Sequence, residues 1–154
     1  MQFIFFLAIS FFIIGLDLFT KALMTNMLQN GDIILWKSII FTLEYNKGIA
    51  FSIPLKGTIQ IALSLGLLTG LIIYAHKHWH WKNWITTIGT SFICGGALGN
   101  LYERVGEKGV TDFIQVFSWF PVFNLADTFI FLGVFLLFIF ELQEKRLLTH
   151  TGKL

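Results

Sequence analysis

The sequence predicts a mainly α-helical, polytopic membrane protein with four transmembrane helices. A small β-sheet is expected between the first two helices and an interfacial segment between the last two. Three observations carry this prediction. Of 154 residues, 55% are hydrophobic and 18 are Phe, and the mean hydropathy of +0.73 is foreign to a soluble domain. Charged residues make up only 13% of the chain and gather in a few clusters. Between the clusters lie apolar segments close to the roughly 20 residues a helix needs to cross a hydrocarbon core about 30 Å thick.

The first helix is expected from about Phe3 to Met24. It lacks a basic leading region, and an acid rather than a small-residue cleavage site follows the apolar run, so it reads as a retained span and not as a signal peptide. Asp17 and Lys21 stand four apart on it and share a face, either as a structural ion pair or as part of a site. Next comes a turn signal, Asn30-Gly31-Asp32, and then short β-branched or aromatic runs at Ile33 to Trp36, Ile39 to Tyr45 and Ile49 to Ile53, closed by Pro54. These read as strands of a sheet lying at the membrane surface.

Thr58 to Ala75 carries no formal charge and forms the second span, with Gly66 and Gly70 spaced to admit a neighbouring helix. His76, His78 and His80 alternate with Lys77, Trp79 and Trp81 in the loop that follows. No cysteine or carboxylate accompanies the histidines, so a headgroup-level belt is favoured over a metal site. Trp84 to Tyr102 is the third span, ending in small residues, and Asn100 and Arg104 share its last face. Val105 to Pro121 is apolar enough to lie along the interface. The fourth helix is expected from about Val122 to Phe140, before a short charged tail. No internal repeat or linker is visible, so residues 1–154 are expected to form one domain.

A net charge of +2 does not describe a nucleic-acid surface, and the single cysteine, Cys94, excludes an internal disulfide. Four crossings place Asp17, Lys21, Asn46, Asn100, Arg104, Asp112 and Asp127 at one membrane face, and all four histidines, at 76, 78, 80 and 150, at the other. Histidine-dependent nucleophilic sites are thereby excluded on the acid-rich side. No zinc-protease or Gly-x-Ser-x-Gly motif occurs. The remaining acid-base equipment is carboxylate, chiefly Asp112 and Asp127. Two acids near one another at a low-dielectric boundary share a proton, so one can serve as base and the other as acid toward an amide. The plainer alternative is that Asp112 caps a helix or faces water while Asp127 pairs with Lys21 or Arg104.

Five runs together resemble the bacterial lipoprotein signal peptidases, signal peptidase II. They are Asp17-x-x-x-Lys21, Asn46-Lys47-Gly48-Ile49-Ala50-Phe51-Ser52, Gly95-Gly96-Ala97-Leu98-Gly99-Asn100 to Arg104, Val110-Thr111-Asp112-Phe113-Ile114, and Phe123-Asn124-Leu125-Ala126-Asp127. The resemblance implies a four-helix aspartyl endopeptidase of the bacterial cytoplasmic (inner) membrane that cleaves prolipoproteins before a diacylglyceryl-modified cysteine. It makes Asp112 and Asp127 the catalytic pair, and Asn46, Gly48, Asn100, Arg104, Asn124 and Ala126 the residues lining the site, with Asp17 and Lys21 as a first supporting motif. It further implies an extracytoplasmic sheet that cradles the substrate, cytoplasmic termini, no cofactor or metal, and inhibition by cyclic peptides of the globomycin type. Membrane lipids are the other expected partners, and a monomer is the expected state. Glu103 departs from the family pattern, which usually has Asp before the arginine.

Charge counting does not orient the chain. Lys77, Lys82, Lys145, Arg146 and Lys153 lie on one side, against Lys21, Lys37, Lys47, Lys56, Arg104 and Lys108 on the other. Two rival functions remain open on residue chemistry. One is a small transporter or channel component that uses Asp17, Asp112 and Asp127 for cations or protons. The other is a Ser-Lys peptidase using Ser52 with Lys21 or Lys47.

Overall fold

The computed structural model describes residues 1–48, 57–78, 83–106 and 108–150. Four helices occur among them: α1 (Gln2–Met27), α2 (Gly57–His78), α3 (Trp84–Arg104) and α4 (Leu125–His150). Three strands accompany them, β1 (Ile33–Trp36), β2 (Ile39–Asn46) and β3 (Val110–Val116). A helix covers most or all of each predicted helical segment and runs past its predicted C-terminal end. In α3 and α4 the added residues include Glu103, Arg104, Glu141, Glu144, Lys145 and Arg146, good helix formers whose charge ends the apolar run. The expected strand at Ile49 to Ile53, Pro54, Ser52 and the loop residues Trp79 to Lys82 fall outside the described residues.

α3 lies at the centre, packed chiefly against α1 and α4. Its core face is small and polar: Thr86, Thr87, Thr90, Ser91, Cys94, Gly95, Gly96, Gly99 and Asn100 are all buried. The hydroxyls are satisfied within the helix, Thr90 donating to the Thr86 carbonyl at 2.7 Å and Ser91 to that of Thr87 at 2.6 Å. Glycine is needed where backbones meet. A Cβ on Gly96 would stand 2.5 Å from the Ala126 carbonyl oxygen, and one on Gly99 2.7 Å from an Asp17 carboxylate oxygen. By contrast Gly66 and Gly70, expected to admit a neighbouring helix, have nothing within 4 Å of a Cβ position. The close contacts are made by α3, whose glycines face helices on both sides.

The outer faces are apolar and uncovered. Phe3, Ile4, Phe11, Phe12 and Phe19 on α1, and Phe131, Phe135 and Phe138 on α4, are all more than half exposed. Gln2–Asn30 and Leu125–Arg146 are long and apolar enough to cross a membrane, and Ile61–Ile73 is a shorter apolar stretch of α2. A polar centre inside an apolar exterior suits a helix bundle solvated by lipid.

The sheet is antiparallel in the order β1-β2-β3. Its third strand adds to the expectation, because the middle of the Val105 to Pro121 connection pairs with β2 and so joins the sheet. Asn46 stands opposite Val110 and Glu44 opposite Asp112. Gly109, at φ 90°, turns the chain into β3 where a Cβ would meet the Asn46 carbonyl oxygen at 2.7 Å. Met24, Leu28 and Phe113 form the apolar contact between the end of α1 and the sheet. Beyond β3 the chain doubles back, and Ile114 and Phe123 exchange backbone hydrogen bonds of 2.8 and 3.0 Å. That pairing delivers Asn124 beside the buried end of β3.

Candidate active site

Three helices and two strands converge where α3 ends and α4 begins. α1 contributes Asp17 and Lys21, buried to 0% and 2% side-chain exposure and paired at 2.7 Å. An ammonium in such a place needs every proton accepted, and Lys21 has three acceptors: Asp17, the Asn100 side-chain carbonyl at 2.8 Å and Glu103 at 3.2 Å. The other Asp17 oxygen accepts the Ala126 backbone N–H at 2.9 Å, so the first helix also holds the first turn of α4.

Asn124 and Asp127 form a reciprocal cap on α4. The Asn124 side-chain oxygen accepts the Asp127 N–H at 2.9 Å, and an Asp127 oxygen accepts the Asn124 N–H at 3.3 Å. The Asn124 amide then donates twice, to Asp112 at 2.6 Å and to Asn100 at 3.1 Å. Asn100 in turn donates to the second Asp127 oxygen at 2.8 Å. Asn46 donates to the other oxygen of Asp112 at 3.1 Å while accepting the Gly48 N–H at 2.9 Å. The orientation of each amide follows from these partners. Two acids 15 residues apart in sequence are thus joined through two asparagines.

Asp112 is 2% exposed. Burial, and then the neighbouring charge of Asp127, push its carboxyl up to about 7, against the smaller opposing effects of the Asn46 and Asn124 hydrogen bonds and Lys21. A proton held near neutrality beside a second acid is the equipment of general acid-base chemistry. A cavity of about 330 Å³ opens next to Asn46, walled by Glu44, Ser118, Trp119, Phe120, Pro121 and Val122.

Residues 9–143 match the family model described as signal peptidase (SPase) II. The chain belongs to the signal peptidase II family. A lipoprotein signal peptidase of Streptococcus pneumoniae is 34% identical, over 86% of this chain and 89% of its own length. Those of Clostridium novyi and Bacillus pumilus are 38% and 33% identical, over 85% and 92% of this chain and 93% and 95% of theirs. A bacterial membrane enzyme solved by the in meso method at 2.3 Å superposes with a TM-score of 0.80 at 27% identity, covering 91% of this chain and 88% of that one. A second, solved at 1.9 Å, gives 0.76 at 26%, covering 87% and 90%. This member of the signal peptidase II family is a membrane protease of lipoprotein processing.

In this signal peptidase II chain, Asp17, Lys21, Asn46, Gly48, Asn100, Asp112, Asn124, Ala126 and Asp127 all meet through the bonds above. Arg104 is partly buried on the same α3 face but makes no hydrogen bond or ion pair among the described residues. The Ser-Lys alternative finds no support at Lys21, whose three partners include no serine. Sequence reasoning missed the connection made by Glu103. Its Oε1 accepts the Thr111 hydroxyl at 2.7 Å and its Oε2 the Thr111 N–H at 2.9 Å, while Lys21 lies on the same carboxylate. The available signals were its place three residues after Asn100 at a helix end and its retained charge where the family pattern usually has Asp.

Proposed function

We propose that this chain is an aspartyl endopeptidase that removes signal peptides from prolipoproteins by cleaving before a diacylglyceryl-modified cysteine, with Asp112 and Asp127 as the catalytic pair. The observation that carries the reading is the bridge of Asn100 and Asn124 between the two acids. Asp112, which keeps its proton to about 7, serves as the acid. Asp127 serves as the base from the first turn of α4, where a negative charge is favoured.

A water held between them loses a proton to Asp127 as its oxygen attacks the scissile carbonyl, and Asp112 gives its proton to the carbonyl oxygen. The tetrahedral intermediate then collapses. The C–N bond breaks as Asp127 passes the proton it took from water to the leaving nitrogen, while a hydroxyl of the intermediate returns its proton to Asp112 as the carboxylic acid product forms, so each acid ends in its starting state. Asn46, Asn100 and Asn124 hold the acids in place, the Gly48 N–H steadies Asn46, the Ala126 N–H binds Asp17, and Asp17 with Lys21 fixes α1 beneath the acids. Arg104, without a hydrogen bond or ion pair among the described residues, is placed to meet the substrate.

In this reading α1 to α4 all span the cytoplasmic membrane, the sheet lies outside it, the termini lie inside, and a monomer surrounded by lipid is sufficient. The test is incubation of purified protein in detergent with a lipidated prolipoprotein. Asp112→Asn and Asp127→Asn should each reduce cleavage by at least about 100-fold without loss of folded protein. Cleavage at the normal rate in either variant overturns the dyad. Cation flux in liposomes without any cleavage would favour transport instead.

A further inference from the structure

We propose that Glu103 is a positioning residue for this reaction, presenting Asp112 through Thr111 and Asp127 through Lys21 and Asn100. The inference rests on the acid-pair reading above. Successive side chains on a strand point to opposite faces. Asp112 is therefore gripped on one face of β3 by Asn46 and Asn124, while its neighbour Thr111 is gripped on the other by Glu103. The carboxylate takes both the N–H and the hydroxyl of Thr111, at 2.9 and 2.7 Å. Added to the β2 ladder, two bonds from one planar group fix the rotation of the strand at Thr111 more tightly than a single bond would.

The second line of support runs from the same group. Glu103 holds Lys21 at 3.2 Å, Lys21 donates to Asn100 at 2.8 Å, and Asn100 donates to Asp127 at 2.8 Å. A carboxylate at the end of α3 thus lies at the root of the hydrogen bonds that orient both acids. Misplacing a reacting group by a fraction of an ångström lowers turnover while leaving substrate affinity largely intact. A group that merely held the fold together would lower the melting temperature and leave turnover of the folded fraction unchanged.

The test uses full-length Glu103→Gln, Glu103→Asp, Thr111→Val, Thr111→Ser and the double variant Glu103→Gln/Thr111→Val. Each is assayed in detergent on a lipidated prolipoprotein at a temperature where thermal melting shows it folded. Glu103→Gln and Thr111→Val should each lower kcat about tenfold with KM within about twofold. Thr111→Ser keeps the hydroxyl and should restore the rate. Glu103→Asp, shorter by one methylene, should fall in between. The double variant should be no slower than the worse single one within about twofold, as expected for two partners of one interaction.

Normal kcat in Glu103→Gln, a change confined to KM, or independent multiplicative losses in the double variant would each overturn the proposal. Should Glu103→Gln fail to fold, the contrast between Thr111→Val and Thr111→Ser decides the same question. Full cleavage by Asp112→Asn would sink the underlying acid pair. A normal Glu103→Gln beside an inactive Asp112→Asn would sink only the positioning role.

Discussion

Asp112 is the group through which pH should act on the proposed site. Its carboxyl, raised by burial and by Asp127 to about 7 from an ordinary 3.8, binds its proton more tightly in the folded chain than in the unfolded one. The folded state therefore holds the extra proton between those two values, and stability falls as pH rises through that window. Cleavage should decline along a basic limb centred near 7, measured as kcat/KM against pH. The melting temperature of Asp112→Asn in detergent should vary less than that of the wild type between about pH 5 and about pH 8. Lys21→Met tests the neighbouring charges. It leaves Asp17 buried without its cation, and melting should show a loss of about 3 to 5 kcal/mol. The acids were legible in sequence because a carboxylate among apolar residues stands out. Glu103 was not, because it sits at a polar helix end and its partners, Lys21 and Thr111, belong to other elements.

The first turn of α4 joins local structure to chemistry. Asn124 caps the helix, and the residue it caps is one of the acids. Asn124→Ala should cost about 1 kcal/mol for the lost cap, and more for the Asp112 and Asn100 contacts it abandons. Its cleavage rate should fall further than its melting temperature alone would explain. Gly96→Ala should destabilise the α3–α4 contact by about 1 to 3 kcal/mol, since the new methyl meets backbone rather than a yielding side chain. Gly66→Ala, with open space around it, should melt within about 0.5 kcal/mol of the wild type. The helices were legible from apolar runs and β1 and β2 from their β-branched content. β3 was not, because Val110–Val116 reads as apolar interface until β2, more than 60 residues earlier, supplies its hydrogen-bond partner.

The molecule as a whole is a bundle turned outside in, with threonines, serines and glycines at its axis and phenylalanines on its surface. The orientation proposed for it can be checked against the one native cysteine, Cys94, which is buried and should stay silent toward a membrane-impermeant maleimide. Leu35→Cys, on the exposed hairpin, should be labelled in intact cells, and Glu144→Cys, exposed near the far end of α4, only after permeabilisation. The reverse pattern would invert the topology. The ties of α1 also have a bearing on synthesis. Lys21 waits for Asn100, 79 positions downstream, and Asp17 for Ala126, 109 positions downstream. α1, made before α3 and α4, is therefore completed only when they arrive, and a nascent chain stopped short of α4 holds an unfinished polar pair open to recognition by quality control in the bilayer.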